Sequence, residues 1–280
     1  MSKFSSLSAC LAFACAVTIA GDALAFCRTT TCNPKVDVCA FDDHGCNTEG
    51  VPVYWEGGAT TLDVSAAGSP LWGISGEDLE AATSAAAATW QDVTCAGGDK
   101  PAIQVAPPAL VPDPVPEFDK DGPNDNVVVF VDDAWAHEVD ALAKTSLGFY
   151  VSSGILLDAD IELNSDKFAF TVSGEPGRAD LQSVLTHEIG HVLGLDHSDV
   201  PGATMAARAN SSATEALRTL HQDDIDAICS VYPPSKPPED DGGCTLARGS
   251  RSGTSAWSWL LVLGAAWRWR SRRRQSNAAR

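Results

Sequence analysis

Basic side chains are scarce in this chain of 280 residues: Lys and Arg number 19 against 37 Asp and Glu, a formal charge of −18. Eight of the arginines lie in residues 244–280, where there is no acid. Between residues 26 and 243, ten basic residues face 36 acidic ones, a formal charge of −26. A surface of that sign repels nucleic acid and anionic lipid, which excludes both as partners of the main body. It suits a soluble secreted body and could hold cations. Methionine is rarer still, with Met1 and Met205 the only two. No internal repeat is evident. The apolar runs Leu7–Ala20 and Ala256–Trp267 both fall short of the roughly 20 residues of an ordinary membrane helix.

Both ends are set apart from the middle. Residues 1–25 read as a secretory signal peptide, with Lys3, the apolar run to Ala20 and Ala23-Leu24-Ala25 as a small-x-small cleavage site. At the other end, Pro233 to Gly243 is a Pro-rich, acidic linker, stiff and then flexible. Residues 244–280 follow with Cys244, a short apolar span and an arginine cluster from Arg268 to Arg274. With the arginines held inside, such a tail can keep a chain at the membrane during export. The expected divisions are therefore 1–25, a cysteine-rich segment 26–50, a main domain 51–232, the linker 233–243 and the tail 244–280. The membrane is a partner only through that tail. The sequence sets no oligomeric state.

Setting aside Cys10, Cys15 and Cys244 leaves Cys27, Cys32, Cys39, Cys46, Cys95 and Cys229, an even number in a chain with an export signal. Three disulfides are the natural reading, with connectivity open. The expected arrangement joins Cys95 to Cys229 and closes the first four among themselves. A zinc knuckle over residues 27–46 competes, but its spacings are wide.

The stretch His187-Glu188-Ile189-Gly190-His191-Val192-Leu193-Gly194-Leu195-Asp196-His197 organises the rest. On a helix, His187 and His191 project from one face a turn apart and can grip one ion. Gly194 permits a sharp turn through positive φ, which brings His197 round as a third nitrogen ligand. Three protein ligands leave a fourth position on Zn2+ open, the pattern of a catalytic rather than a closed structural site. Glu188, beside the first ligand, is placed to act as a base. Met205, eight residues after His197, completes the motif as the methionine of the turn that follows. The alternative is three histidines in a packed core.

Elsewhere the periodicities predict both strands and helices. Val51 to Trp55 reads as a first strand and Leu62-Asp63-Val64 as a short second one. A helix is expected from Glu77 to Asp92, capped by Ser75 or Gly76, with Leu79, Ala82, Ala86 and Trp90 on its inner face. Ile103 to Val105 and Asn126 to Val131 are further strands, the latter central. Residues 106–126, rich in Pro and Asp, read as a surface loop. Within it, Asp119 to Asp125 places oxygen ligands on alternate residues with Gly122 at the bend, so Ca2+ and a solvated acidic turn are both open readings. Asp132 to Ser146 shows no clear period, and His137 within it reads as a packing or surface residue. Asp158 to Leu163 alternates acidic and apolar residues, which predicts a strand with one wet face. A last helix is expected from Gln222 to Val231, with His221 at its cap and Tyr232 closing its apolar stripe.

The zinc motif, Trp55, the helix ending at Trp90, Asp158-Ala159-Asp160-Ile161, Ser198 and Asp223-Asp224-Ile225 with Tyr232 resemble a matrixin, the matrix-metalloprotease-like branch of the metzincins. The resemblance covers Val51 to Tyr232. It implies an α+β fold: a twisted mixed sheet with three helices and a zinc cleft. His187, His191 and His197 would bind zinc, Glu188 would be the base in peptide-bond hydrolysis, and Met205 would lie beneath the metal. The strand through Ile161 would edge the cleft and pair with an extended peptide or protein substrate, as in β-strand addition. Ala207 stands where the family often has proline, and no stretch matches the animal cysteine-switch propeptide. The tail resembles the C-terminal sorting signals of surface proteins in myxobacteria and similar bacteria, which implies an extracellular or outer-surface location. The competing functions are a non-enzymatic surface module stapled by zinc and disulfides, and a zinc hydrolase of non-peptide substrates.

Overall fold

The computed structural model describes residues 25–207 and 215–235. The expected leader, most of the linker and the C-terminal tail lie outside the described residues. In chain order the strands and helices are β1 (Ala59–Thr60), β2 (Asp63–Ser65), α1 (Gly76–Gln91), β3 (Gln104–Val105), β4 (Leu110–Val111) and β5 (Val127–Phe130). They continue with β6 (Ala143–Phe149), β7 (Leu156–Leu163), β8 (Phe170–Thr171), β9 (Ala179–Asp180), α2 (Leu181–Val192) and α3 (Gln222–Val231). The fold is α+β. Three helices accompany a mixed five-stranded sheet of order β4-β2-β5-β7-β6, in which only β6 runs antiparallel to its neighbour.

Each helix begins where its sequence supplies a cap. Ser75 and Asp78 form a reciprocal capping box at α1, and the Asp180 carboxylate accepts from the Ser183 N–H at the start of α2. At α3 the His221 ring accepts from the Asp223 N–H while Asp224 bonds back to the His221 N–H. Along α1, Leu79, Ala86 and Trp90 are buried as expected, and Ala82 packs at the margin of the core. That core joins α1 and α2 to the sheet through Leu62, Val64, Val128, Ile161, Leu163, Leu185 and Ile189.

Four expectations need correction. Val51 to Trp55 is extended but joins its neighbours only through isolated bridges, Pro52 with Thr30 and Tyr54 with Ile155. The loop 106–126 is interrupted by β4, which adds a strand at one end of the sheet. The region read as aperiodic ends in β6, a seven-residue strand at the opposite edge. Finally, β7 has no wet face: Asp158 and Asp160 are 1% and 2% exposed. The loop before β5 folds across that face. Phe118 lies so close to Gly148, the partner of Asp158 in the β6–β7 ladder, that a Cβ there would collide with its ring. Asp160 accepts from the Val127 N–H at 3.0 Å, and the Asn126 side chain accepts from the Ala159 N–H at 2.8 Å.

The cysteines pair as Cys27–Cys46, Cys32–Cys39 and Cys95–Cys229. The expected grouping holds, and the four N-terminal cysteines form two disulfides rather than a zinc knuckle.

Candidate active site

Helix α2 carries the first two histidines, and its position is fixed by aromatic residues from three other parts of the chain. The Trp90 indole N–H donates to Thr186 O at 2.8 Å and the Trp55 indole N–H to Val192 O at 2.8 Å. The Tyr232 hydroxyl donates to Leu193 O at 3.2 Å. Gly190 faces Met205 and Trp90, where a Cβ would collide with the Met205 sulfur. Glycine thus lets the helix settle directly onto the methionine turn. Gly194 has φ +88° and abuts Val53 O, so the reversal after α2 takes place where a side chain has neither the torsion nor the room.

The turn that follows is fastened to α3. The buried Asp224 carboxylate accepts from the N–H groups of Thr204 and Met205 at 2.8 and 3.0 Å, and the Ser198 hydroxyl donates to Asp223 at 2.6 Å. Ser198 N–H also bonds to Met205 O at 2.9 Å. Through these contacts Ser198, Asp223 and Asp224 hold the loop bearing His197 and Met205 under α2.

The structure brings His187, His191 and His197 together, with one ring nitrogen of each within 4.8 Å of the others. The His187 Nδ1 lies 2.7 Å from Thr204 O and the His191 Nδ1 lies 2.9 Å from Leu195 O. A carbonyl oxygen can only accept, so each Nδ1 carries the proton and each Nε2 presents a lone pair. Those two Nε2 atoms are 3.2 Å apart. Two acceptors at that distance repel unless a cation lies between them, and tetrahedral zinc with bonds near 2.0 Å separates two ligand nitrogens by roughly 3.3 Å. Burial and the neighbouring histidines lower the His191 pKa well below its ordinary value, and burial followed by His187 lowers that of His197. Both shifts favour the neutral form of His191 and His197, the form a ligand needs. The donor set fits a divalent metal of the zinc type.

Glu188 is 7% exposed and accepts from the Thr145 hydroxyl at 2.6 Å. The unmatched side of β6 runs along a cleft of about 830 Å³ that also contains His187, Glu188, His191 and His197. The strand through Ile161 does not border it. As β7, that strand lies inside the sheet between β5 and β6, and β6 is the edge beside the histidines. The reassignment follows from the antiparallel return of β6, which places it outside β7. No motif in the sequence points to Thr145, which lies in a stretch of weak periodicity. The alternation of Thr145, Leu147 and Phe149 with Lys144 and Ser146 was its one signal. The acidic loop near Gly122 bonds to itself, with Asp119 accepting from Asp121 N–H and Asn124 accepting from Asp119 N–H. His137 pairs with Glu162 at 2.8 Å, away from the histidine cluster.

Residues 132–233 match the Matrixin family. The chain is 40% identical over 82 residues to the metalloendoproteinase 5-MMP of Arabidopsis thaliana, covering 29% of this chain and 22% of that protein. It is 33% identical over 87 residues to the matrilysin of Rattus norvegicus, covering 31% and 32%. It is also 43% identical over 53 residues to the metalloendoproteinase 4-MMP of A. thaliana, covering 19% and 15%. The chain thus spans less than a third of the length of these relatives. The similarity supports a matrixin-like zinc metalloprotease at the level of the zinc-helix half of the domain.

Proposed function

We propose that the chain is an exported zinc-dependent endopeptidase of the matrixin-like metzincin kind, with residues 51–232 as its catalytic domain. His187, His191 and His197 hold the metal and Glu188 is the catalytic base. The observation that carries this reading is the pair of Nε2 lone pairs converging at 3.2 Å beside a buried carboxylate, on the floor of a cleft bordered by a free strand edge. Zinc bound there supplies a Lewis acid for the scissile carbonyl and lowers the pKa of water.

The chain's own residues do the rest. The outer backbone of β6 pairs with an extended peptide and brings a peptide bond over the histidines. Glu188 takes the proton from the attacking water and passes it to the departing amine. No serine or cysteine nucleophile is required. Three disulfides support export to an oxidising compartment. The N-terminal leader and C-terminal sorting tail complete the proposal, which puts the enzyme outside the cell or on its outer surface.

The test is proteolysis of casein by purified protein. Glu188→Ala is expected to keep its zinc and to lose at least about a hundredfold in rate, the usual contribution of a general base. His191→Ala is expected to lose the metal itself. Full activity of Glu188→Ala would refute the assignment.

A further inference from the structure

The segment between Cys27 and Cys46 is built against the cleft rather than merely leading into the domain. Its main chain is bonded to the turn that carries the third histidine: Thr29 N–H donates to Gly194 O at 3.1 Å and Asp196 N–H donates to Cys27 O at 3.0 Å. Beyond Cys39 it forms a small hairpin, in which Thr48 N–H bonds to Ala40 O at 2.8 Å and Asp42 N–H to Cys46 O at 3.0 Å. His44 at the hairpin tip lies 2.9 Å from the Asp199 carboxylate. Lys35 reaches Glu138, in the loop that leads into β6, at 3.4 Å. The segment thus runs from the His197 side of the cleft to the β6 side, closed on itself by Cys27–Cys46 and Cys32–Cys39.

Asn33, Pro34 and Phe41 line the same cleft as β6 and the histidines. Phe41 keeps 53% of its surface exposed, although it is a large apolar side chain on a hairpin tied down by the Cys27–Cys46 disulfide. Main-chain pairing with β6 holds any extended peptide alike, so discrimination among substrates must come from side chains that face it. An anchored aromatic ring on the wall supplies such a contact. A releasable lid is a poor description of this segment, because its hydrogen bonds are shared with the Gly194–Asp196 turn and its removal would loosen His197.

We infer that the disulfide-stapled segment 27–46 is a permanent wall of the substrate cleft and that Phe41 is a specificity-determining residue, selecting a peptide substrate by one of its side chains. The inference rests on the peptidase reading above. It is tested with a degenerate peptide library, cleaved by the full-length wild type and by Phe41→Ala and Phe41→Trp, each checked for zinc content and three disulfides. Because Phe41 is half exposed, neither change disturbs the core. Emptying the wall favours larger substrate side chains at one position, and enlarging it favours smaller ones. The ratio of kcat/KM for a large against a small apolar residue there is expected to move about tenfold in opposite directions, the scale of a modest pocket contact. Cleavage profiles identical to that of the wild type in both variants would overturn the inference and leave the peptidase reading standing. A zinc-loaded wild type that cleaves no peptide would overturn both.

Discussion

As the proposed base, Glu188 is useful only if its carboxylate stays beside the attacking water, and one residue outside the histidine motif restrains it. The Thr145 hydroxyl donates to Glu188 at 2.6 Å from the middle of β6, so the strand proposed to bind substrate also restrains the base. Thr145 touches no reacting atom and acts through Glu188, which makes it a positioning residue. Replacement by valine keeps the shape and removes the hydrogen bond. Thr145→Val is therefore expected to lower kcat about tenfold with little change in KM, a loss comparable to one hydrogen bond to a charged group. Thr145→Ser, which restores the donor, should recover most of the rate. Equal losses in both variants would point to packing rather than to the hydroxyl. Thr204 and Leu195 act on the histidines in the same indirect way, through carbonyls that fix the tautomers of His187 and His191.

At the scale of elements, the helices were legible and part of the sheet was not. Capping and apolar spacing mark α1 and α3 because those signals are local: Ser75 and Asp78 lie three residues apart, as do His221 and Asp224. The histidine site was legible for the same reason, since its ligands sit within eleven consecutive residues. Burial of β7 depends instead on the loop carrying Phe118, some forty residues away in sequence, and no local period reports that. The buried face has a thermodynamic consequence. Burial, followed by the charge of Asp125, raises the Asp158 pKa to about 6. Burial, followed by the charges of Asp158 and Glu162 and opposed by the Val127 hydrogen bond, raises that of Asp160 to about 7. Unfolded aspartates titrate near 4, so between about pH 4 and pH 7 the native state holds more protons than the unfolded state. The contribution of these groups is fully present below pH 4 and is lost as pH rises through 6 and 7. One oxygen of Asp158 has no hydrogen-bond partner among the described residues, which makes its ionised form costlier still. Asp158→Asn removes one titration, so its stability relative to wild type should rise by about 1.4 kcal/mol between pH 5 and pH 8, one pK unit of the shift. Urea unfolding at the two pH values measures this, and a constant difference would refute the assignment.

For the whole molecule the question is whether the metal holds the fold or is held by it. Three features argue that the fold comes first. The core runs continuously from Val53 to Tyr232 and includes α2 from Leu181 to Val192. The Cys95–Cys229 disulfide joins the end of α1 to α3 across 134 residues of sequence, a constraint worth roughly 3 kcal/mol or more. His197 is the most exposed of the three histidines, so a metal there borders the cleft rather than filling an interior. In a module that used zinc as a staple, metal binding would supply most of the folding free energy and chelation would unfold it. Here the histidines are fixed by Thr204, Leu195, Trp55 and Trp90, none of which needs the ion. Dialysis against a chelator is therefore expected to abolish proteolysis while far-UV circular dichroism and a cooperative thermal transition persist, with the midpoint lowered by less than about 10 °C. Readdition of zinc should restore activity without a refolding step. Loss of the cooperative transition on chelation would instead make the metal structural and favour the stapled-module reading.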